Sequence, residues 1–202
     1  MVFALKNRGM KRVLVIEDKP SELKELEGFL KEKGYTIVGE CEDGTSGVEL
    51  CRKERPDLVI MDADAPGVKS VLASRMMIRD FHAAVVLLAE GCSGEEGLRE
   101  AIAAGVMAYL TKPVRKEELI GAVELAVSRF REFERLRKEN EDLKNTLEAR
   151  KLIEKAKGLL MEKEGISEAE AFARIRKISM DKRKPMKDIA EVIILALEKK
   201  TN

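Results

Sequence analysis

Apolar residues recur along the first two thirds of the chain in two alternating rhythms. Short runs rich in β-branched residues, RVLVI (12–16), TIVGE (36–40), DLVIM (57–61), AVVLLA (84–89) and VMAYL (106–110), read as strands. Between them, the segments at 20–33, 44–54, 69–80 and 94–104 place apolar residues every three or four positions, the period of an amphipathic helix, and a fifth such pattern begins near Lys116. Strands that alternate with helices in this way build a parallel sheet covered on both faces. Residues 11–127 therefore predict an α/β domain of the flavodoxin-like, doubly wound (βα)5 type. Folds of this type bind ligands at the carboxyl ends of the strands, near the topological switch point.

Past Gly121 the helical pattern continues through 119–148 with no Gly or Pro. A heptad frame puts Leu119, Ala126, Phe133, Asn140 and Leu147 at position a, and Ala122, Arg129, Leu136 and Leu143 at position d. An asparagine at a costs stability but fixes register and favours two parallel strands. In that pairing Glu132 faces Arg137 and Glu139 faces Lys144 of a second copy. The segment is thus expected to be a coiled-coil linker helix, with a homodimer seam at Phe133, Leu136, Asn140, Leu143 and Leu147. A solvated helix lying on its own domain is the plainer alternative.

Residues 147–200 predict three short helices. The first, 149–164, turns Ile153, Ala156, Leu159 and Leu160 to one side and ends at Gly165, where a left-handed residue is expected. Ser167 and Glu170 form a capping box for the second, which carries Phe172, Ile175 and Ile178 inward. Pro185 opens the third, with Ile189, Val192, Ile193 and Leu197 closing a small core. In AKG, Gly158 fits a close approach, more simply of a neighbouring helix than of nucleic acid.

Charge separates the two ends. Residues 1–118 carry 18 Lys and Arg against 21 Asp and Glu, whereas 149–202 carry 14 against 9, a net of +5 in a chain whose overall net charge is +1. This asymmetry points to a polyanionic partner for the C-terminal part. On charge alone, a well-solvated helical surface would also account for it. Three cysteines (Cys41, Cys51, Cys92) form no CxxC pair, and the single histidine, His82, completes no metal pattern, which fits a reducing compartment. The opening MVFALKNRGMKR is too short in apolar residues for a signal peptide, and no apolar run reaches membrane-spanning length. A cytoplasmic location is expected.

The candidate chemistry lies at strand ends. Glu17 and Asp18 close the first strand, Asp62 closes the third, and Lys112, followed by Pro113, comes just after the fifth. Three acids from neighbouring strands form a hard oxygen site suited to Mg²⁺, which takes few carboxylates and keeps several waters. A lysine there can neutralise a phosphoryl group. Glu17 or Asp18 alone would pass for a helix-capping acid; together with Asp62 and Lys112 they indicate a site. Asp57, Asp64 and His82 read individually as a strand-start acid, a loop acid and a surface histidine.

These residues resemble the response-regulator receiver family over about 11–127: an acidic pair, PDLVIMDADAPG around the acceptor, and AYLTKP at the end. The resemblance implies that Asp62 accepts a phosphoryl group and that Glu17, Asp18, Asp62 and the backbone carbonyl of Asp64 hold Mg²⁺. It also implies that Lys112 binds the phosphate and that Tyr109 is the switch aromatic. One position departs from the family. Where a Thr or Ser hydroxyl grips the phosphoryl group, AVVLLAEG places Ala89, which predicts weak coupling to Tyr109 unless a neighbour such as Ser93 substitutes.

From Leu147 to Ile193, LEARKLIEKAKGLLMEKEGISEAEAFARIRKISMDKRKPMKDIAEVI resembles the ANTAR domain, a three-helix RNA-binding module of bacterial regulators. The resemblance implies binding to paired stem-loops in a leader transcript, which stabilises them against a terminator. Arg150, Lys151, Lys157, Arg174, Arg176, Lys177, Lys182, Arg183 and Lys184 are the candidate RNA contacts. With Phe172 assigned to the core, base stacking would fall to arginine planes or apolar edges. Lys182-Arg183-Lys184 stands where the family often has Asn. The chain is accordingly expected to be a transcription antiterminator: a receiver served by a histidine kinase, with an RNA-binding output and no external substrate. A DNA-binding response regulator, and a receiver governed by a protein partner rather than by phosphate, are the alternatives.

Overall fold

The structure is a computed structural model that describes residues 11–91 and 94–198. Ser93, the proposed substitute hydroxyl, lies outside the described residues, as does Cys92. In chain order the elements are β1 (Arg12–Ile16), α1 (Pro20–Glu32), β2 (Thr36–Cys41), α2 (Gly44–Glu54), β3 (Leu58–Asp62), α3 (Ser70–Arg79), β4 (Ala84–Ala89), α4 (Gly94–Ala104), β5 (Ala108–Thr111), α5 (Lys116–Glu164), α6 (Glu168–Lys182) and α7 (Met186–Glu198). The chain divides into two compact units, one ending at Glu134 and the other beginning at Arg135, with the boundary inside α5. No helix among the described residues is long and apolar enough to cross a membrane.

The first unit is the doubly wound α/β fold that the strand–helix alternation requires. Its five strands are all parallel, in the order β2-β1-β3-β4-β5. β3 and β4 are buried along their whole length, as strands covered on both faces must be. Glycine permits close helix–sheet packing at Gly47 of α2, where a Cβ would collide with the side chain of Ile16 in β1. β5 begins two residues later than its apolar run predicts, at Ala108.

Two of the heptad positions read from the sequence belong to this core. Leu119 and Ala126 are fully buried, in one apolar cluster with the strands and with Val123, Val127 and Phe130 of α5. Over the first four turns of α5 the a positions and the sheet-facing stripe coincide, and the sheet takes them. Phe133, Leu136, Leu143 and Leu147, which follow, are all exposed.

In the second unit Ala156, Leu160, Ala171, Ile175, Ile189, Ala190 and Ile194 form the core. Gly165 ends α5 at φ +69°, and Ser167 with Glu170 forms the expected capping box at the start of α6. Three expectations are corrected here. Phe172 is 42% exposed, because α6 buries Ala171 and Ile175, and the next residue along a helix points about 100° away. For the same reason Val192 points outward while Ile189, Ala190 and Ile194 of α7 face in. Gly158 is exposed and a Cβ there would meet nothing within 4 Å, so no neighbouring helix requires a glycine.

Candidate functional site

The register of the sheet assembles the acidic cluster. Ile16 of β1 pairs with Met61 of β3, so Glu17 and Asp62 leave the sheet side by side at its carboxyl edge, at the switch point between β1 and β3. One carboxylate oxygen from each of Glu17, Asp18 and Asp62 lies within 4.8 Å of the others; Glu17 and Asp62 are buried and Asp18 is exposed. Across the site, Ala89 pairs with Thr111, and Lys112 follows, its N–H donating to the Ala89 carbonyl at 2.8 Å and its peptide bond to Pro113 being cis.

The Lys112 side chain is buried, and its ammonium reaches Glu17 Oε2 at 2.8 Å and Asp62 Oδ2 at 2.6 Å. A third carboxylate, Glu22 Oε2 in the first turn of α1, lies 2.6 Å away. The remaining Asp62 oxygen, Oδ1, accepts the N–H of Asp64 at 2.8 Å. Burial pushes the Glu17 carboxyl above its ordinary range, against the hydrogen bond from Lys112. Burial would lower the Lys112 ammonium, but its bonds to Asp62, Glu17 and Glu22 outweigh this and raise it. Glu22 shows the converse balance: burial raises its carboxyl, and the bonds from Lys112 and Lys19 bring it below the usual value.

Among the described residues, Lys112 and Lys19 are the ammonium groups in contact with the acids Glu17, Asp62, Glu22 and Glu90, and Asp18 lies beside them, so the cluster holds more carboxylates than ammonium groups. Such a donor set, all oxygen and excess in anionic charge, fits a hard divalent cation. Glu22 has no motif of its own in the sequence, because only the fold brings the first turn of α1 to Lys112. The same is true of Lys19, which bridges Glu90 at 2.6 Å and Glu22 at 3.2 Å.

The switch positions are placed as follows. Ala89 is buried at the end of β4 and presents only a methyl group. Tyr109 is half-buried on β5, and its hydroxyl is buried without a hydrogen-bond partner among the described residues. Asp64 lies exposed in the loop after β3.

The nine candidate RNA contacts sort into two groups. Arg150, Lys151, Arg176, Lys177, Lys182, Arg183 and Lys184 are exposed, and their side chains have no acidic partner among the described residues. Lys157 corrects the reading of a basic surface: it is 7% exposed, its stem covered, while its ammonium reaches Glu154 at 2.8 Å and Glu168 at 2.7 Å. Those two hydrogen bonds raise the ammonium above its ordinary value. Arg174 is likewise engaged, by Glu164.

A parallel sheet of this order with an acidic cluster and lysine at its carboxyl edge defines a receiver. Consistent with that, the response regulator receiver domain matches residues 13–124, and the ANTAR domain matches residues 141–194. The chain belongs to the response regulators and joins a receiver to an ANTAR domain. It is 44% identical over 187 residues to the transcriptional regulatory protein PdtaR of Mycobacterium tuberculosis, a match covering 93% of this chain and 91% of that protein. Protein PilH of Pseudomonas aeruginosa is 32% identical over 120 residues, 56% of this chain and 95% of its own. Among solved structures, the signal receiver domain of the response regulator NarL from Mycobacterium tuberculosis superimposes with a TM-score of 0.55 at 23% identity, covering 60% of this chain and 98% of that one, a likeness of fold alone.

Proposed function

We propose that this response regulator is a transcription antiterminator, switched by phosphorylation of Asp62 and acting on stem-loop RNA through its ANTAR domain. The observation that carries the first half is the pairing of Asp62 Oδ2 with Lys112 while Oδ1 is held by the Asp64 N–H. Oδ2 is then the oxygen that attacks phosphorus of a phosphohistidine on a cognate kinase. The P–N bond breaks, the imidazole leaves, and Lys112 transfers from Asp62 to a phosphoryl oxygen. Glu17, Asp18, Asp62 and the carbonyl of Asp64 would hold Mg²⁺, which would supply positive charge beside the transferred phosphoryl group. The chain acts on its own aspartate and on no external substrate.

The second half is supported by Arg150, Lys151, Arg176, Lys177, Lys182, Arg183 and Lys184 of the ANTAR unit, all exposed and without an acidic partner among the described residues. Lys157 and Arg174 are assigned to holding that unit together rather than to RNA. The chain is read as a receiver over 11–127, a linker helix over 119–148 and an RNA-binding unit over 147–200. The linker is proposed to form a parallel two-stranded coiled coil with a second copy along Phe133, Leu136, Asn140, Leu143 and Leu147. Its support is the spacing of exposed apolar residues around one asparagine on a single helix.

The experiment is a titration of the purified chain against a two-stem-loop RNA, with and without beryllofluoride and Mg²⁺. Tighter binding on addition is expected. Equal binding in both states removes phosphate as the controlling signal, and binding to duplex DNA that RNA does not displace overturns the RNA reading.

A further inference from the structure

On α6 the exposed residues Phe172, Arg176 and Met180 follow one another at intervals of four, and side chains so spaced share one face of a helix. Phe172 is 42% exposed and Met180 61% exposed, while Ala171 and Ile175 on the same helix are fully buried. Scattered apolar residues on a surface need no explanation. This strip differs because its middle member, Arg176, is a guanidinium without an acidic partner among the described residues, and because Lys177, Lys182, Arg183 and Lys184, unpaired in the same sense, flank its C-terminal end in the chain. A protein helix would meet a strip too narrow and too basic to bury well. A polyanion whose units have flat apolar faces meets both features: the ring takes a base and the cations take phosphates.

Resting on the RNA reading above, we propose that Phe172 is a stacking platform for an unpaired base in an RNA loop. Arg176 lies beside it for the flanking phosphate, and Met180 extends the apolar strip. Duplex RNA offers no free base face to such a platform, so the site selects loops over stems. It also selects little among bases, since every base has a face to stack. Phe172 therefore supplies affinity for an open loop, and the identity of that loop is read by other contacts.

The test uses the full chain and two RNA probes: hairpins with one fixed stem, enriched by the wild-type protein from a pool with randomised loops, and the same stem as a blunt duplex. Phe172→Ala and Phe172→Leu should both weaken hairpin binding, roughly ten- to a hundred-fold, and leave the weak duplex binding unchanged. Phe172→Tyr, which keeps the ring, should bind hairpins like the wild type. Arg176→Ala should lower the slope of log affinity against log salt by about one. Circular dichroism of each variant checks that the fold is retained. Hairpin affinity kept by both Phe172→Ala and Phe172→Leu, beside a wild type that prefers hairpins, overturns the platform and leaves the RNA reading standing. A wild type from which no hairpin can be enriched overturns both.

Discussion

Lys112 and Glu22 form a 2.6 Å ion pair that ties the loop after β5 to the first turn of α1. Because Glu22 shares the Lys112 ammonium with Glu17 and Asp62, it competes with any phosphoryl group that forms on Asp62. Glu22→Gln should therefore tighten beryllofluoride binding. The Glu22 side chain is 34% exposed, which screens the pair, so the gain should be modest, roughly two- to five-fold. Fluorine NMR of beryllofluoride titrations measures it; weaker binding in the variant would mean that Glu22 orients Lys112 instead of competing for it.

Ala89 leaves the end of β4 without a hydroxyl, and the buried Tyr109 hydroxyl has no partner among the described residues. Restoring the oxygen with Ala89→Ser should widen the difference in RNA affinity between the beryllofluoride-treated and untreated protein. A hydrogen bond to a charged group is worth about 1.5–3 kcal/mol, so the ratio of the two affinities should grow by roughly ten-fold or more. The ratio measured for wild type and variant on the same RNA decides this, and an unchanged ratio would place control of the output elsewhere.

Mg²⁺ should stabilise the receiver. Each ten-fold rise in free Mg²⁺ above its dissociation constant adds about 1.4 kcal/mol to the folded state, a shift of a few degrees in Tm. Asp18→Asn should flatten that dependence. Thermal melting across a Mg²⁺ series reads both, and a wild-type Tm independent of Mg²⁺ would reject the site.

Self-association should depend on the exposed seam of α5. Leu143→Lys puts a charge where the second copy packs and should shift the chain to monomer, whereas Asn140→Leu should strengthen association and loosen its choice of two strands. Sedimentation equilibrium distinguishes these, and a wild type that is monomeric at all concentrations would discard the coiled coil.

The start of α6 should be acid-sensitive. The Lys157 hydrogen bond holds Glu168 below the usual carboxylate value, and the hydrogen bonds of Ser167 do the same for Glu170. A depressed carboxylate contributes stability that is complete above its unfolded pKa and is lost as pH falls through its folded one. The helix signal should thus weaken on acidification below the ordinary range of glutamates, and less so in Glu168→Gln. Ser167→Ala, removing the cap, should cost about 1 kcal/mol at neutral pH. Circular dichroism against pH and temperature checks all three.

The residues legible in advance are those whose role is set by their position on a strand. Glu17, Asp62 and Lys112 each end or follow an apolar run, so the parallel order alone brings them together. Glu22 was not legible, since its contact with Lys112 depends on how α1 enters the sheet. On the ANTAR helices, size misled: Ala171 and Ala190 hold core positions while Phe172 and Val192 stand outside. A helical phase read from the largest apolar residues fails when the tight inter-helix contact is made by small ones. Leu119 and Ala126 were misread for a related reason, because heptad and helical periods stay in step over a few turns.

The excess of carboxylates around Lys112 has a genetic consequence. Like charges held together at the edge of the sheet weaken the fold that holds them, so neutralising one should strengthen it. Where free Mg²⁺ is too low to fill the site, Asp18→Asn or Asp62→Asn should then arise as second-site suppressors of destabilising lesions in the apolar core, restoring abundance without restoring the switch.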